Sequence, residues 1–227
     1  MGATNDYRVT PKSDEASARP AEIVREYGPF ADAKNVAGVT YDGKNVWFAA
    51  GAHLQSFEPS SGKPGRKLPV QADAGTAFDG RHLYQLAGGQ IRKVDPETGA
   101  VVATIPSPPG DGDAGLTWAE GSLWVGKHRE RKIHQVDPRT GKVLRTIEST
   151  RFVTGVTFVD GELWHGTWED EQSDLRRVDR ESGRVVERLS MPPGTIISGL
   201  ESNGDDLFYC GGGTSGKVRV VQRPKRR

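Results

Sequence analysis

Five copies of one glycine-bounded phrase constrain this chain more than any other feature. They are Gly38-Val-Thr-Tyr-Asp-Gly43, Gly75-Thr-Ala-Phe-Asp-Gly80, Gly115-Leu-Thr-Trp-Ala-Glu-Gly121, Gly155-Val-Thr-Phe-Val-Asp-Gly161 and Gly199-Leu-Glu-Ser-Asn-Gly204. Their first glycines stand 37, 40, 40 and 44 residues apart. A period of about 40 residues with strand-like content reads as one β-propeller blade per repeat. The expected fold is therefore an all-β, five-bladed β-propeller with four-stranded blades.

The third repeat shows the unit. Gly115–Trp118 forms strand one, Glu120-Gly121 a tight hairpin turn and Ser122–Val125 strand two. Lys132–Val136 is strand three, Asp137-Pro-Arg-Thr-Gly141 the next turn and Lys142–Ile147 strand four. Glycine supplies the positive φ that such turns need, and proline presets the turn. The closing turn recurs as Ser61-Gly62, Thr98-Gly99 and Ser182-Gly183. Trp47, Tyr84, Trp124, Trp164 and Phe208 align at one second-strand position, where packing between blades is expected.

The fifth repeat stops one strand short, after Lys217–Val221. Ala21–Tyr27 precedes Gly38 as the fourth strand of a repeat would, so the N-terminal strand is expected to complete the last blade. Such closure removes free sheet edges. Residues 21–227 then form a single propeller domain. Residues 1–20, polar and lacking an apolar core, read as a disordered leader.

Bulk composition excludes several classes. The 31 basic and 30 acidic residues produce no field suited to nucleic acid or an anionic membrane. The basic end Pro224-Lys-Arg-Arg227 reads as a solvated tail. No run approaches the ~18 apolar residues of a membrane span. The one cysteine, Cys210, forms no intrachain disulfide. A cytoplasmic, monomeric protein with a small-molecule or peptide partner is expected.

Within each blade the Asp/Asn-Gly and Ser/Thr-Gly turns fall on one uniform face. The second-to-third loops and the links between blades fall on the other and vary, and variable loops on a rigid repeat are where function is presented. His53, His128 and His165 map there. With Asp73 or Asp113 they have the donor chemistry for a divalent metal, but no spaced motif supports one, so no cofactor is required. Asp73 and Asp113 hold equivalent positions. They read either as a carboxylate pair for acid–base work or as caps of their own loops. Glu201 stands where the other first strands carry Thr40, Ala77, Thr117 and Thr157. A carboxylate in that small-residue ring must be solvated, paired or protonated. In the acidic loop His165–Ser173, Trp168 lies outside the packing position and could cover a planar ligand. Arg151 or Lys127 would hold the ligand's anionic group, with His128 nearby. Cys210 could be a nucleophile with His165 as base, or an inert buried thiol.

Collinearly over residues 21–221 the chain resembles the plant- and bacterial-type glutamine cyclotransferases, five-bladed propellers that cyclise N-terminal glutamine. Leu83-Tyr-Gln-Leu86 and Gly161-Glu-Leu-Trp-His-Gly-Thr-Trp168 carry the likeness, with Leu175–Asp179 and Ser182–Val185 following. The Asp-Pro-x-Thr-Gly turns are shared with streptogramin-lyase-like propellers, the second resemblance. Trp47-Phe-Ala-Ala-Gly51 carries Phe48 where the first family has its acid–base Glu, Ala87-Gly88 replaces its Thr-Trp, and Gly155-Val-Thr157 replaces its Glu-Leu-Glu. Trp168 is retained. The expected function is small-molecule handling at the channel mouth by a non-redox enzyme performing cyclisation, elimination or hydrolysis. Glu201, Asp73, Asp113 and His165 would move protons, while Trp168, Lys127, Arg151, His128 and Cys210 would bind substrate. The alternative is a non-catalytic scaffold for a peptide or protein.

Overall fold

The computed structural model describes residues 16–225 in full and residues 7–9 as backbone. Three short strands come first: β1 (Tyr7–Val9), β2 (Ala18–Pro20) and β3 (Ile23–Tyr27). Blade one follows with β4 (Val39–Tyr41), β5 (Val46–Ala49), β6 (Leu54–Phe57) and β7 (Pro64–Leu68). Blade two has β8 (Thr76–Phe78), β9 (Leu83–Ala87), β10 (Gln90–Val94) and β11 (Val101–Pro106). Blade three comprises β12 (Asp113–Ala119), β13 (Ser122–Lys127), β14 (Lys132–Val136) and β15 (Val143–Glu148). Blade four comprises β16 (Val153–Val159), β17 (Glu162–Thr167), β18 (Asp174–Val178) and β19 (Val185–Ser190). Blade five holds β20 (Gly199–Ser202), β21 (Leu207–Gly211) and β22 (Val218–Gln222). Among the described residues no helix is long and apolar enough to cross a membrane.

β3 pairs antiparallel with β22, Tyr27 opposite Val218 and Arg25 opposite Val220, and so supplies the fourth strand of blade five. This is the expected closure. Within the segment expected to be a disordered leader, the described pieces are strands. β1 adds in parallel to β15, Val9 opposite Ile147, and β2 adds in parallel to β19, Arg19 opposite Leu189. Arg19 also forms an ion pair with Glu187. Residues 1–6 and 10–15 of the leader, and Arg226 and Arg227 of the basic tail, lie outside the described residues.

The repeated glycines are where the blades meet. A Cβ on Gly38 would lie within 3.0 Å of Gly75, one on Gly75 equally close to Gly115, and so on through Gly155 and Gly199 back to Gly38. The ring closes backbone to backbone, and only glycine allows that approach. Further out, large side chains fill the gaps between blades. Trp47 faces the blade one–two gap, Tyr84 the next, then Trp124 and Trp164.

The fifth member of this aromatic set is Tyr209, not Phe208. Tyr209 lies opposite Glu201 as Trp164 lies opposite Thr157, and it packs in the blade five–one gap with Phe48 and Val218. The cause is one extra residue in the last hairpin. Asn203 bonds across to Leu207, whereas the equivalent Asp42 bonds to Asn45. Phe208 is thereby turned towards blade four, where its ring lies 5.1 Å from Trp164.

Candidate functional site

Glu201 enters the axis of the propeller from β20 and is nearly enclosed. Thr157 of blade four donates to Oε1 at 2.5 Å, the backbone N–H of Ser202 to the same oxygen at 2.9 Å, and Thr40 of blade one to Oε2 at 3.0 Å. Two members of the small-residue ring read from the sequence, Thr40 and Thr157, thus turn their hydroxyls onto the carboxylate. Burial pushes Glu201 up to about 7, against the opposing pull of those three hydrogen bonds. One carboxylate joins blades four, five and one.

The other three residues expected to move protons do not converge on it. Asp113 is bound to Lys127, whose buried ammonium lies 2.6 Å from Oδ1; Ser107 Oγ donates to the same oxygen at 2.6 Å. Lys127 also donates to Gly110 O at 3.0 Å and Ser107 Oγ at 3.2 Å. Together these bonds fasten the Ser107–Gly112 loop to the ends of β12 and β13. Asp73 is exposed and accepts from Gln71 at 3.0 Å. No hydrogen bond joins Asp73 and Asp113 among the described residues; each carboxylate serves its own blade. His165 is buried inside β17, its Nδ1 3.2 Å from Gly166 O. It is a strand residue, not a loop histidine, because β17 runs on to Thr167.

Cys210 is buried in the blade four–five core beside Leu200, Phe208 and Val221. Burial pushes its thiol far above the ordinary range, so it is not a thiolate nucleophile. Lys127 is likewise buried, with its ammonium turned onto Asp113, Ser107 and Gly110 O. His53 lies 3.4 Å from Gln55 through Nε2, and His128 lies 3.0 Å from Val153 O through Nδ1. Among the described residues no three His, Cys, Asp or Glu side chains gather as a metal site.

Three of the expected binding residues, His128, Arg151 and Trp168, do share a neighbourhood at the variable ends of blades three and four. Trp168 is half-buried directly after β17, at the base of a two-residue turn. Glu169 and Gln172 bond to each other across that turn, and Asp170 and Glu171 take φ of 55° and 58°. This is a type I′ hairpin built without glycine. Its base is clamped from blade three. Arg131 donates to Glu169 Oε1 at 2.5 Å, and Arg151 to Glu169 Oε2 at 3.1 Å and to Glu169 O at 2.7 Å. The Phe152 ring supports the Arg131 guanidinium and the His128 ring, at 4.7 and 4.8 Å. Arg151 is therefore a fastener of the Trp168 hairpin and not a free anion anchor. Sequence reading missed Glu169, Arg131 and Phe152 because the clamp joins two blades. The only signal was that Arg151-Phe152 and Trp168-Glu169 both lie at variable ends.

Comparison with known proteins is consistent with this architecture. The glutaminyl cyclase of Myxococcus xanthus superposes with a TM-score of 0.72 at 17% identity, covering 96% of this chain and 98% of that one. The propeller domain of Cps50 (Swd1) from Myceliophteria thermophila gives 0.57 at 10% identity, covering 90% of this chain and 100% of that one. The WD40 propeller domain of Doa1 gives 0.53 at 18% identity, covering 82% of this chain and 63% of that one. No protein-family model and no curated protein matches the chain. At these identities the likeness is one of fold: a five-bladed propeller built like a bacterial glutaminyl cyclase.

Proposed function

We propose that the protein is a binding propeller that holds a peptide or protein segment against the Trp168 hairpin. The observation carrying this reading is the pinned hairpin, Trp168 standing beside a Glu169 gripped by Arg131 and Arg151. A half-buried tryptophan on a preorganised turn contributes contact area without an ordering cost on binding. The exposed Asp170 and Glu171 at its tip favour a ligand with basic residues beside an apolar one. The engagement of Asp113 by Lys127 and the burial of Cys210 count against acid–base or nucleophilic chemistry at those positions.

The test is selection of a random peptide library on the purified chain. Enriched peptides should bind wild type and lose about 30-fold in affinity or more on Trp168→Ala. Equal binding by the variant would overturn the reading.

A second reading rests on Glu201, whose protonation midpoint near 7 suits a general acid–base, and on the cyclase-like fold. On that reading a glutaminyl peptide is cyclised, and Glu201→Gln abolishes the turnover. Absence of turnover by wild type removes it.

A further inference from the structure

Across blade four, β17, β18 and β19 set His165, Arg176 and Arg188 in one row, each directly opposite the next. Arg176 and Arg188 are thus like charges facing each other on neighbouring strands, an arrangement that by itself destabilises a sheet. The other blades avoid it at the same ladder position. Blade one sets Gln55 opposite Lys67, blade two Arg92 opposite Thr104 and blade three His134 opposite Thr146. Blade five sets Arg219 opposite Glu26, joined at 2.8 Å.

The carboxylates around the row do not balance it. Asp174 Oδ2 lies 3.0 Å from Arg176 Nη2, 3.7 Å from Arg151 Nη1 and 4.0 Å from Arg188 Nε. One carboxylate oxygen thus faces three guanidiniums. Glu169 already serves both Arg131 and Arg151. Asp174 pairs with Arg176, so Arg188 and one arginine of the clamp lack a counter-charge of their own among the described residues. Asp170 and Glu171 stand on the exposed tip of the hairpin. The added strand β2 brings Ala18, not a carboxylate, opposite Arg188. Arg188 Nε is buried and makes no hydrogen bond among the described residues. Withdrawing a cation from water without a counter-charge is costly.

We propose that Arg188 and Arg151, backed by the enclosed Arg176, form a site for a phosphate-like dianion, either inorganic phosphate or a phosphomonoester. The side chains of Arg188 and Arg151 are 28% and 18% exposed, so an anion reaches them from solvent. Guanidiniums bind phosphate through paired N–H donors, and a tetrahedral dianion offers oxygens to two arginines at once. It also brings the two negative charges that the cluster lacks, where a carboxylate brings one. Arg188 takes no part in the Glu169 clamp, so this site and the Trp168 contact stand or fall separately.

The experiment is isothermal titration of the full chain with sodium phosphate and with phenyl phosphate. It is run at about pH 8, where phosphate carries two charges, with ionic strength held constant by sodium chloride. Wild type is compared with Arg188→Gln and with Arg139→Gln, a change at an exposed arginine of the opposite face. Wild type and Arg139→Gln should bind saturably, and Arg188→Gln should lose about tenfold in affinity or more. Tighter binding of phenyl phosphate would assign the site to the phosphorylated end of a small molecule. Tighter binding of inorganic phosphate would assign it to the free ion, and either result upholds the site. In phosphate-free buffer Arg188→Gln should melt no lower than wild type, because the opposed like charges are gone; this readout needs no ligand. Absence of saturable binding by both probes, equal binding by Arg188→Gln, or a lower melting temperature of that variant without phosphate overturns the proposal.

Discussion

Glu201 concentrates at one residue the conflict between burial and charge. Its three donors favour the carboxylate, yet enclosure outweighs them and holds the midpoint near 7, against an ordinary 4.5. The folded state therefore keeps its proton where the unfolded state has lost it. Between pH 4.5 and 7 the unfolded chain binds fewer protons, so stability falls as pH rises through that window and levels off above it. The contribution is roughly 3 kcal/mol. We expect the melting temperature of wild type, relative to Glu201→Gln, to fall by about 6–12 °C from pH 4.5 to 8. A parallel pH dependence in the two proteins would mean that Glu201 does not titrate this way. The anomaly was legible in the sequence because four of the five equivalent positions carry small residues. Its partners were visible only as ring members; that Thr40 and Thr157 turn their hydroxyls onto it is a property of the closed ring.

At the scale of the element, the Ser107–Gly112 loop depends on Lys127. This ammonium is buried and spends its donors on Asp113, Ser107 and Gly110 O. Removing it leaves the carboxylate of Asp113 without a counter-charge and the loop without its anchor. We expect Lys127→Met to cost about 3 kcal/mol in urea unfolding. Hydrogen exchange should accelerate first in residues 107–112. A loss below about 0.5 kcal/mol would place the pair among those that contribute little. Sequence reading placed Asp113 and Lys127 on the variable face, Asp113 for acid–base work or as a cap of its own loop and Lys127 for a ligand's anionic group. The two stand opposite each other across the β12–β13 ladder, beyond a bulge, and that register cannot be read from the spacing alone. The exchange of Phe208 for Tyr209 has the same origin. One added residue in a hairpin turns the following side chains to the other face of the blade, because strand side chains alternate.

At the scale of the molecule, the N-terminal segment closes the ring. β3 occupies the outermost place of blade five, and the two preceding strands step back round the propeller to blades four and three. We expect deletion of residues 1–28 to abolish cooperative unfolding, since it exposes β22 and opens the ring. Deletion of residues 1–17, which removes β1 and leaves β3 intact, should lower the melting temperature by only a few degrees. Equal melting of the two truncations in calorimetry would show that the closure carries no weight.

The sequence by itself determined the number of blades, the four-strand unit and the closing strand. These follow from local rules repeated along the chain: a glycine-bounded phrase, a turn signal every few residues and alternation along each strand. Tertiary structure alone decided which polar groups are available. Lys127 and Arg151 read as anion anchors, and Cys210 as either a nucleophile or an inert buried thiol, because a linear chain shows residue types and not their neighbours. Folding paired Lys127 with Asp113, spent Arg151 on Glu169 of the next blade and sealed Cys210 between blades four and five. A buried charge must find a partner and a buried thiol loses its anion. Those partners come from other strands and blades, a distance the sequence does not measure.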